Sequence, residues 1–395
     1  MIHRLTATLS VLSLVLFFAC TSNPKDEKSE GENPEQKGLN FEAMADLIME
    51  RMDLQPGEKV LLVATPGRFD PMVAALNEKI TNSPGEYLGA MSVTDNQPEA
   101  WLTPYINESA AFSDEELQEY LKHVDIGIMM PGPNASDKIY GMIQQNLNEG
   151  IRRTIHFHWA GAYDFNGNLL DDSDEIDEFY QNVLLTTDYA QLAEDQQRFE
   201  DEIRGKQIRV TTPSGTDISF EVGDRPVTKQ SGDASAATAT KARNLIDREM
   251  ELPAGAIRVA PIESSVNGTI AFPDAQWGDT MMVRDLVLTF EEGKVTAMEA
   301  SNGIESVEAV MNEAGEVAKS FREFALGMNP ELAIPEENPW IPYYGYGAGV
   351  VRLSLGDNSE LGGNVTGGFV RWNFFPDASV SVDGEVWVQD GKLIK

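Results

Sequence analysis

Short apolar runs alternate with helical segments between Lys59 and Trp159, and this alternation constrains the fold more than any other feature of the chain. The runs, rich in Val, Ile, Leu and Met, are KVLLVATP from Lys59, YLGAMSV over Tyr87–Val93, VDIGIMMPG over Val124–Gly132 and RRTIHFHW over Arg152–Trp159. Strands separated by helices of ten or more residues are typical of βαβ units with a buried parallel sheet. We therefore predict an open α/β domain over residues 39–172.

The hydrophobic period changes beyond Lys206. Alternating apolar and polar residues flank the turn sequences Pro213-Ser214-Gly215 and Glu292-Gly293, and Asp-Gly pairs follow at Asp383 and Asp390. These are hairpin signatures. We predict that residues 206–395 form an α+β domain dominated by antiparallel sheet, with one helix at about 304–321. The charged stretch 173–205 is predicted to be a single bridging helix.

The amino-terminal residues predict export and lipid attachment. An apolar stretch over Leu9–Phe18 follows His3 and Arg4, and it ends at Cys20, the only cysteine in the chain. This pattern predicts a signal peptide at residues 1–19 and lipidation of Cys20. The polar segment 20–38 is predicted to be a flexible tether. The expected location is the outer membrane or cell surface, facing periplasm or exterior, with membrane contact only through the anchor.

Composition excludes several classes of function. Lys plus Arg total 30 against 64 acidic residues, and the formal net charge of −34 excludes nucleic acid as a partner. One cysteine excludes an internal disulfide and a cysteine-based zinc site. The sequence lacks a Walker-type phosphate loop, a dinucleotide-binding fingerprint and a nucleophile elbow.

Four segments of the second half carry a resemblance to a known family. They are NLIDREMELPAGAIRVAPIESSVNGTI over Asn244–Ile270, FREFALGMNP over Phe321–Pro330, GVVRLSLGDN over Gly349–Asn358 and GGNVTGGFVRWN over Gly362–Asn373. In content and order they resemble the thermophilic metalloaminopeptidases of the aminopeptidase T type, whose relatives include dihydroxypyridine dioxygenases. The resemblance implies the aminopeptidase T fold for the second half, a homodimer with its sites facing an internal cavity, and metal-assisted removal of N-terminal residues from peptides.

Most metal ligands that the resemblance implies are replaced in this chain. A glutamate ligand has become Ala256, two histidines fall at Met328 and Arg352, and a His-X-Asp pair reads Arg371-Trp372-Asn373. The glutamates that remain in register are Glu323, which follows Arg322, and more loosely Glu299. A hydrolytic site with two metal ions needs several carboxylate and imidazole ligands. The sequence therefore predicts a degenerate metal site and leaves open whether the protein is an enzyme.

The replacements suggest that arginine has taken the place of metal. Carboxylates deprived of a cation are costly to bury unless they are paired or protonated. We hypothesise that Arg352 and Arg371 pair with Glu323 and Glu299, and that the former active cavity binds a peptide terminus or small anionic ligand. Arg352, Arg371, Asn373 and Glu263 are the candidate ligand-binding residues, and no cofactor is expected.

Two alternatives stay open at this point. An active aminopeptidase would use Glu323 as a tentative catalytic residue and metal ligand, together with Glu299. A carboxylate-rich site of this kind, completed by Glu263 and Asp357, suits Mn or Mg, and the resemblance also allows Zn or Co. A purely structural role for an anchored dimer is the other alternative.

Further candidates carry weaker predictions. His156 and His158 share one face of a strand end and offer two imidazoles, although such pairs are more often structural. The aromatic residues Trp340, Tyr343, Tyr344 and Tyr346 are candidates for the wall of a cleft or for loop packing.

Overall fold

The computed structural model describes residues 38–395 except 135, 150–151, 158, 160–161, 166–168, 172, 278–280 and 343–344. The predicted signal peptide, Cys20 and all but the last residue of the tether lie outside the described residues, as do His158, Tyr343 and Tyr344. Among the helices that are described, none combines the length and apolar character needed to cross a membrane.

Helices and strands alternate in the first half, and strands dominate the second. The helices are α1 (Phe41–Met52), α2 (Asp70–Thr81), α3 (Pro104–Ser109), α4 (Asp114–Leu121), α5 (Lys138–Asn148), α6 (Asp174–Thr186), α7 (Tyr189–Ile203), α8 (Ala236–Ala239) and α9 (Ile304–Ala314). The first strands are β1 (Lys59–Ala64), β2 (Glu86–Ser92), β3 (Ile126–Met129), β4 (Arg153–Phe157), β5 (Gln207–Thr211), β6 (Asp217–Glu221), β7 (Val227–Lys229), β8 (Glu249–Leu252) and β9 (Ala256–Val259). The remaining strands are β10 (Asn267–Trp277), β11 (Met281–Glu291), β12 (Lys294–Glu299), β13 (Phe321–Gly327), β14 (Val351–Gly356), β15 (Val370–Arg371), β16 (Phe374–Phe375), β17 (Ser379–Val382), β18 (Glu385–Gln389) and β19 (Lys392–Leu393).

The first sheet is parallel, as the alternation of runs and helices predicts. Its strand order is β2-β1-β3-β4-β8. Leu61 and Val63 of β1 pack into one hydrophobic cluster and Val60 and Leu62 into another, so apolar side chains cover both faces of the sheet. This arrangement explains why the strands read as continuous apolar runs. The fifth strand, β8, comes from the second half of the chain and was not predicted.

Two antiparallel sheets make up most of the second half. Their strand orders are β12-β11-β10-β6-β5-β17-β18-β19 and β15-β14-β13-β9-β7, with β16 also paired to β14. Phe220 from the larger sheet packs against Phe321 and Phe324 of the smaller one, with ring centroids 5.7 and 5.3 Å apart. The mixed architecture of a parallel α/β region followed by antiparallel sheets confirms the predicted fold class.

The predicted hairpin turns connect neighbouring strands, and their residues adopt the backbone geometry that such turns require. Glu292 and Gly293 between β11 and β12 both have positive φ angles, 47° and 78°, and Asp383 and Gly384 between β17 and β18 have 48° and 86°. Positive φ at both central residues is the geometry of a type I′ turn, which matches the twist of the flanking strands.

The predicted single helix over 173–205 is wrong, because two helices occupy this stretch. Thr187 leaves the helical conformation with a ψ of 126°, and Asp188 starts α7 by accepting a hydrogen bond from the Gln191 amide. Helix α9 is likewise shorter than predicted and ends at Ala314, before a 3₁₀ turn over Gly315–Lys319.

Residues 39–395 form one compact unit. One hydrophobic cluster contains residues from both halves, including Ile128 of β3 and Phe324 of β13. The division at residues 39–172, 173–205 and 206–395 stays a prediction.

Candidate functional site

A cavity of about 750 Å³ lies at the carboxyl ends of the parallel strands. Its lining includes the segment after β3, Pro131–Asn134, and Trp159 after β4, together with Arg258 of β9 and Arg352 of β14. Ligands of parallel α/β sheets commonly bind at this edge. The volume is in the ordinary range for a small-molecule site.

A buried cluster of arginine side chains surrounds Glu323. The Glu323 carboxylate is 0% exposed, and its Oε1 atom lies 2.6 Å from Nε of Arg258 and 2.8 Å from an Nη atom of Arg352. Nε of Arg322 lies 3.6 Å from the other carboxylate oxygen. The predicted pairing of Arg352 with Glu323 is therefore present in the structure.

Strand register explains this convergence. Strand β13 lies between β9 and β14, and Arg258 and Arg352 both stand opposite Ala325. Glu323 is two residues from Ala325 and thus shares its face of the sheet. Two guanidinium groups from neighbouring strands consequently meet one carboxylate from the strand between them.

The arginines keep Glu323 ionised. Burial opposes ionisation, but the charges of Arg258, Arg352 and Arg322 outweigh burial and hold the pKa of Glu323 well below its ordinary value. Charge-assisted hydrogen bonds of this kind are the strong ones in proteins.

Two further carboxylates and two aromatic rings lie beside this cluster. Glu251 and Glu360 lie 3.7 and 3.6 Å from the Arg258 guanidinium, and Glu360 also pairs with Arg322. Arg352 lies over the rings of Tyr346 and Trp372, 5.5 and 5.4 Å from their centroids. Burial and the nearby Glu251 raise the pKa of Tyr346. The cavity therefore presents cationic and anionic groups side by side.

A histidine–carboxylate pair also lines this cavity. Nδ1 of His156 lies 2.7 Å from Oε1 of Glu249 and 3.1 Å from the Tyr140 hydroxyl, and Gln144 donates to the other oxygen of Glu249 at 2.7 Å. Burial opposes ionisation of Glu249, yet His156 lowers its pKa. Carboxylates that hold a ring nitrogen in this way fix the orientation of the imidazole.

Other predicted site residues lie elsewhere. Glu263 pairs with Arg225 and accepts a hydrogen bond from the Asn364 amide at 2.8 Å, which ties two loops together. Asp357 accepts from the amides of Gly367 and Gly368 at 2.7 and 2.9 Å and so organises the glycine-rich turn. Glu299 is an exposed residue at the end of β12, the edge strand of the larger antiparallel sheet. The hypothesised pairing of Arg352 or Arg371 with Glu299 is absent.

Arg371 also does not reach Glu323. It donates to the carbonyl of Gln276 and to the side chain of Asn373 instead, and it lines a neighbouring cavity. Asn373 is buried and donates to the carbonyl of Leu353 at 3.0 Å. The ligand-binding roles of Arg371, Asn373 and Glu263 stay predictions.

The aromatic candidates divide between two environments. Tyr346 lines the large cavity, whereas Trp340 packs against Phe179 and Tyr180 at centroid distances of 4.9 and 6.0 Å. Trp340 is thus part of the packing around α6.

The described residues do not fit the divalent metal that the resemblance implies. A metal would have to displace two guanidinium groups from Glu323, and Ala256 and Met328 offer a methyl and a thioether where ligands are expected. Across the described residues, no group of three or more His, Cys, Asp or Glu side chains is placed to hold a metal ion.

Several residues of the site escaped the sequence analysis. Arg258 interrupts the apolar run AIRVA, and Glu249 and Glu251 alternate with Met250 and Leu252 in EMEL. A charged residue within an otherwise buried strand is rare unless it is paired, and this was the available signal. The partners themselves come from strands distant in sequence.

Comparisons with known proteins agree with this architecture. A family model described as thermophilic metalloprotease (M29) matches residues 186–335, which confirms the predicted resemblance over that part of the chain. The structure of 2,5-dihydroxypyridine dioxygenase from Pseudomonas putida KT2440 is similar with a TM-score of 0.61 and 15% identity, covering 90% of this chain and 96% of that one. Wild-type AmpT from Thermus thermophilus gives a TM-score of 0.58 and 15% identity, covering 90% and 99%. No curated protein matches the sequence. Identities this low show a shared fold and leave the chemistry to the site itself.

Proposed function

We propose that this protein is a relative of the metalloaminopeptidases that has lost metal-assisted hydrolysis and binds a peptide terminus or similar small anionic ligand in the large cavity. The observation that carries the proposal is the salt-bridge cluster, in which Arg258 and Arg352 hold Glu323 at 2.6 and 2.8 Å. Fixed organic cations occupy the place where the resemblance implies a metal ion. A guanidinium stays protonated and cannot ligate a metal, but it binds carboxylates well.

The charges around the cavity favour the terminus of a short peptide as the ligand. Arg352 and Arg258 line the cavity beside Glu251 and Glu360. A carboxylate can bind on the arginine side, and an ammonium group can bind near the glutamates. Tyr346 and Trp372 provide aromatic walls for an apolar side chain.

Elemental analysis and calorimetry test the two halves of the proposal. Protein purified without chelator is expected to contain less than a stoichiometric amount of any divalent metal, and dipeptides are expected to bind with a calorimetric signal. Arg352→Lys keeps the positive charge beside Glu323 but loses the two-pronged grip, so dipeptide affinity should fall about tenfold. The control Arg209→Lys changes an exposed arginine paired with Asp217 and should leave affinity unchanged.

The active aminopeptidase remains the competing hypothesis. One or two metal ions per chain, lost on chelation together with peptide hydrolysis, would favour it and sink the proposal. Binding that is equal in wild type and Arg352→Lys would also contradict the proposed role of this arginine.

We also propose that the protein is a lipid-anchored homodimer of the cell envelope. The support is the apolar stretch that ends at Cys20 and the dimeric state that the family resemblance implies. Cys20→Ser should release the protein from the membrane fraction when the full chain is expressed in a bacterium. Light scattering of the released protein should give twice the mass of one chain.

A further inference from the structure

A second cavity, of about 620 Å³, adjoins the first and contains Arg371. The two cavities share three lining residues, Tyr163, Leu169 and Trp372. The charged residues that line the larger cavity form ion pairs with one another or with Glu323. The second one is walled mainly by apolar and aromatic side chains, with Arg371 as its cation and Asp274 as its carboxylate.

Protein contacts hold the Arg371 guanidinium in a fixed position. Nη2 donates to the carbonyl of Gln276 at 2.8 Å, and Nε donates to Oδ1 of Asn373 at 3.1 Å. The guanidinium carbon lies 3.9 Å from the centroid of the Trp277 ring. The stacking contact and the two hydrogen bonds together fix the orientation of the planar guanidinium group.

Arg371 lacks a carboxylate partner among the described residues, unlike the arginines around Glu323. Asp274 lines the same cavity, but its side chain is 58% exposed and its nearest cation is Arg284 at 3.8 Å. Burial lowers the pKa of Arg371 to about 10, so the group is charged at neutral pH. Arg371 is partly buried, and partial removal of a charged group from water without a counterion has a cost that a bound anion would offset.

The remaining hydrogen-bond donors define what can bind. A guanidinium has five N–H donors, and the two contacts above use two of them. The others suit the two oxygens of a carboxylate. Phe272, Phe374, Tyr163 and Ile341 line the cavity and can cover an apolar body attached to that carboxylate.

We propose that this second cavity is a binding site for a monocarboxylate with an apolar or aromatic body, with the carboxylate on Arg371. The ligand proposed here differs in its apolar body, which the lining of the second cavity covers, and its binding does not depend on peptide binding in the large cavity.

Calorimetric titration with benzoate and phenylacetate tests the proposal. Wild-type protein should bind at least one of the two acids with a dissociation constant in the millimolar range or tighter, and benzamide should bind at least about tenfold more weakly. Arg371→Gln should weaken binding of the acid by about tenfold or more. Because Arg371→Gln also removes two hydrogen bonds and a stacking contact, a far-ultraviolet circular dichroism spectrum and the thermal midpoint check that the variant is folded at the temperature of the titration.

Two matched variants separate this site from its neighbours. Arg284→Gln removes an exposed arginine near Asp274 and should leave acid binding unchanged. Arg352→Lys should weaken dipeptide binding without affecting benzoate, so failure of one proposal can be told from failure of the other. The second-cavity proposal is overturned if neither acid binds wild type, if benzamide binds as well as benzoate, or if Arg371→Gln binds the acid as tightly as wild type.

Discussion

The side chain of Glu323 shows how a single residue depends on its neighbours. It is fully buried and ionised, and three arginines from β9, β13 and β14 surround it. An isolated buried carboxylate would be neutral or would destabilise the fold. The cluster is therefore best understood as one unit, in which removal of the anion leaves several cations buried together.

Replacement of Glu323 by Gln should be strongly destabilising. The change keeps the shape of the side chain but leaves Arg258 and Arg352 without their common anion, and breaking a buried ion pair in this way costs about 3–5 kcal/mol. Urea unfolding measures the loss. The control Glu299→Gln alters an exposed residue and should shift the unfolding free energy by less than about 0.5 kcal/mol. Equal effects of the two changes would contradict the cluster as described.

The comparison of wild type with Glu323→Gln also predicts a pH dependence of stability. Because the arginines lower the pKa of Glu323 in the folded state, its ionised form stabilises the protein fully above the ordinary value of 4.5. This contribution declines as the pH falls below that value towards the pKa of the folded state. The stability difference between wild type and Glu323→Gln should thus be largest near pH 7 and smaller at pH 3. A difference that grows in acid would have the wrong sign.

The boundary between helices α6 and α7 depends in part on a contact with the second half of the chain. The chain over 173–205 is helical in pattern on both sides of residue 187, yet the helix ends there. The Thr187 hydroxyl donates to the Val183 carbonyl, and Asn329 donates to the same hydroxyl at 3.0 Å. The contact with Asn329 connects the end of α6 to the second half of the protein.

Asp188 starts α7, and its replacement by Ala should cost about 1 kcal/mol. The side chain satisfies the otherwise unpaired amide of Gln191 at the first turn. Thermal or urea unfolding measures the change. Glu194→Ala, an exposed position within the same helix, should be neutral or slightly stabilising, since Ala is the better helix former. A helix that does not depend on its cap would show no difference between the two variants.

At the scale of the whole molecule, β8 joins the two halves. It pairs in parallel with β4 of the first sheet, and the residues that follow lead into β9 of the second half. Its Glu249 and Glu251 lie on the cavity, so the strand contributes to the site as well as to the sheet. The parallel sheet of the first half is therefore complete only with a strand from the second half.

We expect residues 39–395 to unfold in one cooperative transition. Loss of the second half would remove β8 and expose an edge of β4, so the first sheet should not outlast it. Scanning calorimetry should give a single peak with calorimetric and van't Hoff enthalpies close to each other. A fragment of residues 39–205 should lack a cooperative transition. Two resolved peaks would instead indicate halves that fold independently.

Local patterns in the sequence predicted the local parts of this structure. Strands β1, β3 and β4 and the Asp-Gly and Glu-Gly turns follow from hydrophobic period and turn chemistry, which act over a few residues. The addition of β8 to the first sheet depends on pairing between distant segments, which no such period reveals. The end of α6 at Thr187 has the same origin, because Asn329 helps to fix it.

The candidate site was predictable to a similar extent. Residue types alone led to the prediction that Arg352 and Arg371 stand where the resemblance implies metal ligands, and Arg352 does pair with Glu323. Arg258 became visible only through the register of β9 and β13. The two-residue spacing of Arg371 and Asn373 correctly places them close enough for a hydrogen bond, but it could not say that Arg371 contacts Gln276 of β10 instead of Glu323.

The late position of β8 in the chain also has a consequence for biogenesis. During vectorial synthesis, β4 leaves the ribosome long before residues 249–252. The backbone hydrogen-bonding groups on the edge of β4 that pairs with β8 stay unpaired until β8 has been synthesised. Such an intermediate is prone to aggregate or to pair with other nascent chains. Maturation of this protein is therefore expected to need holdase chaperones during that interval. Substitutions that slow the pairing of β8 with β4 should lower the yield of folded protein without altering the folded structure.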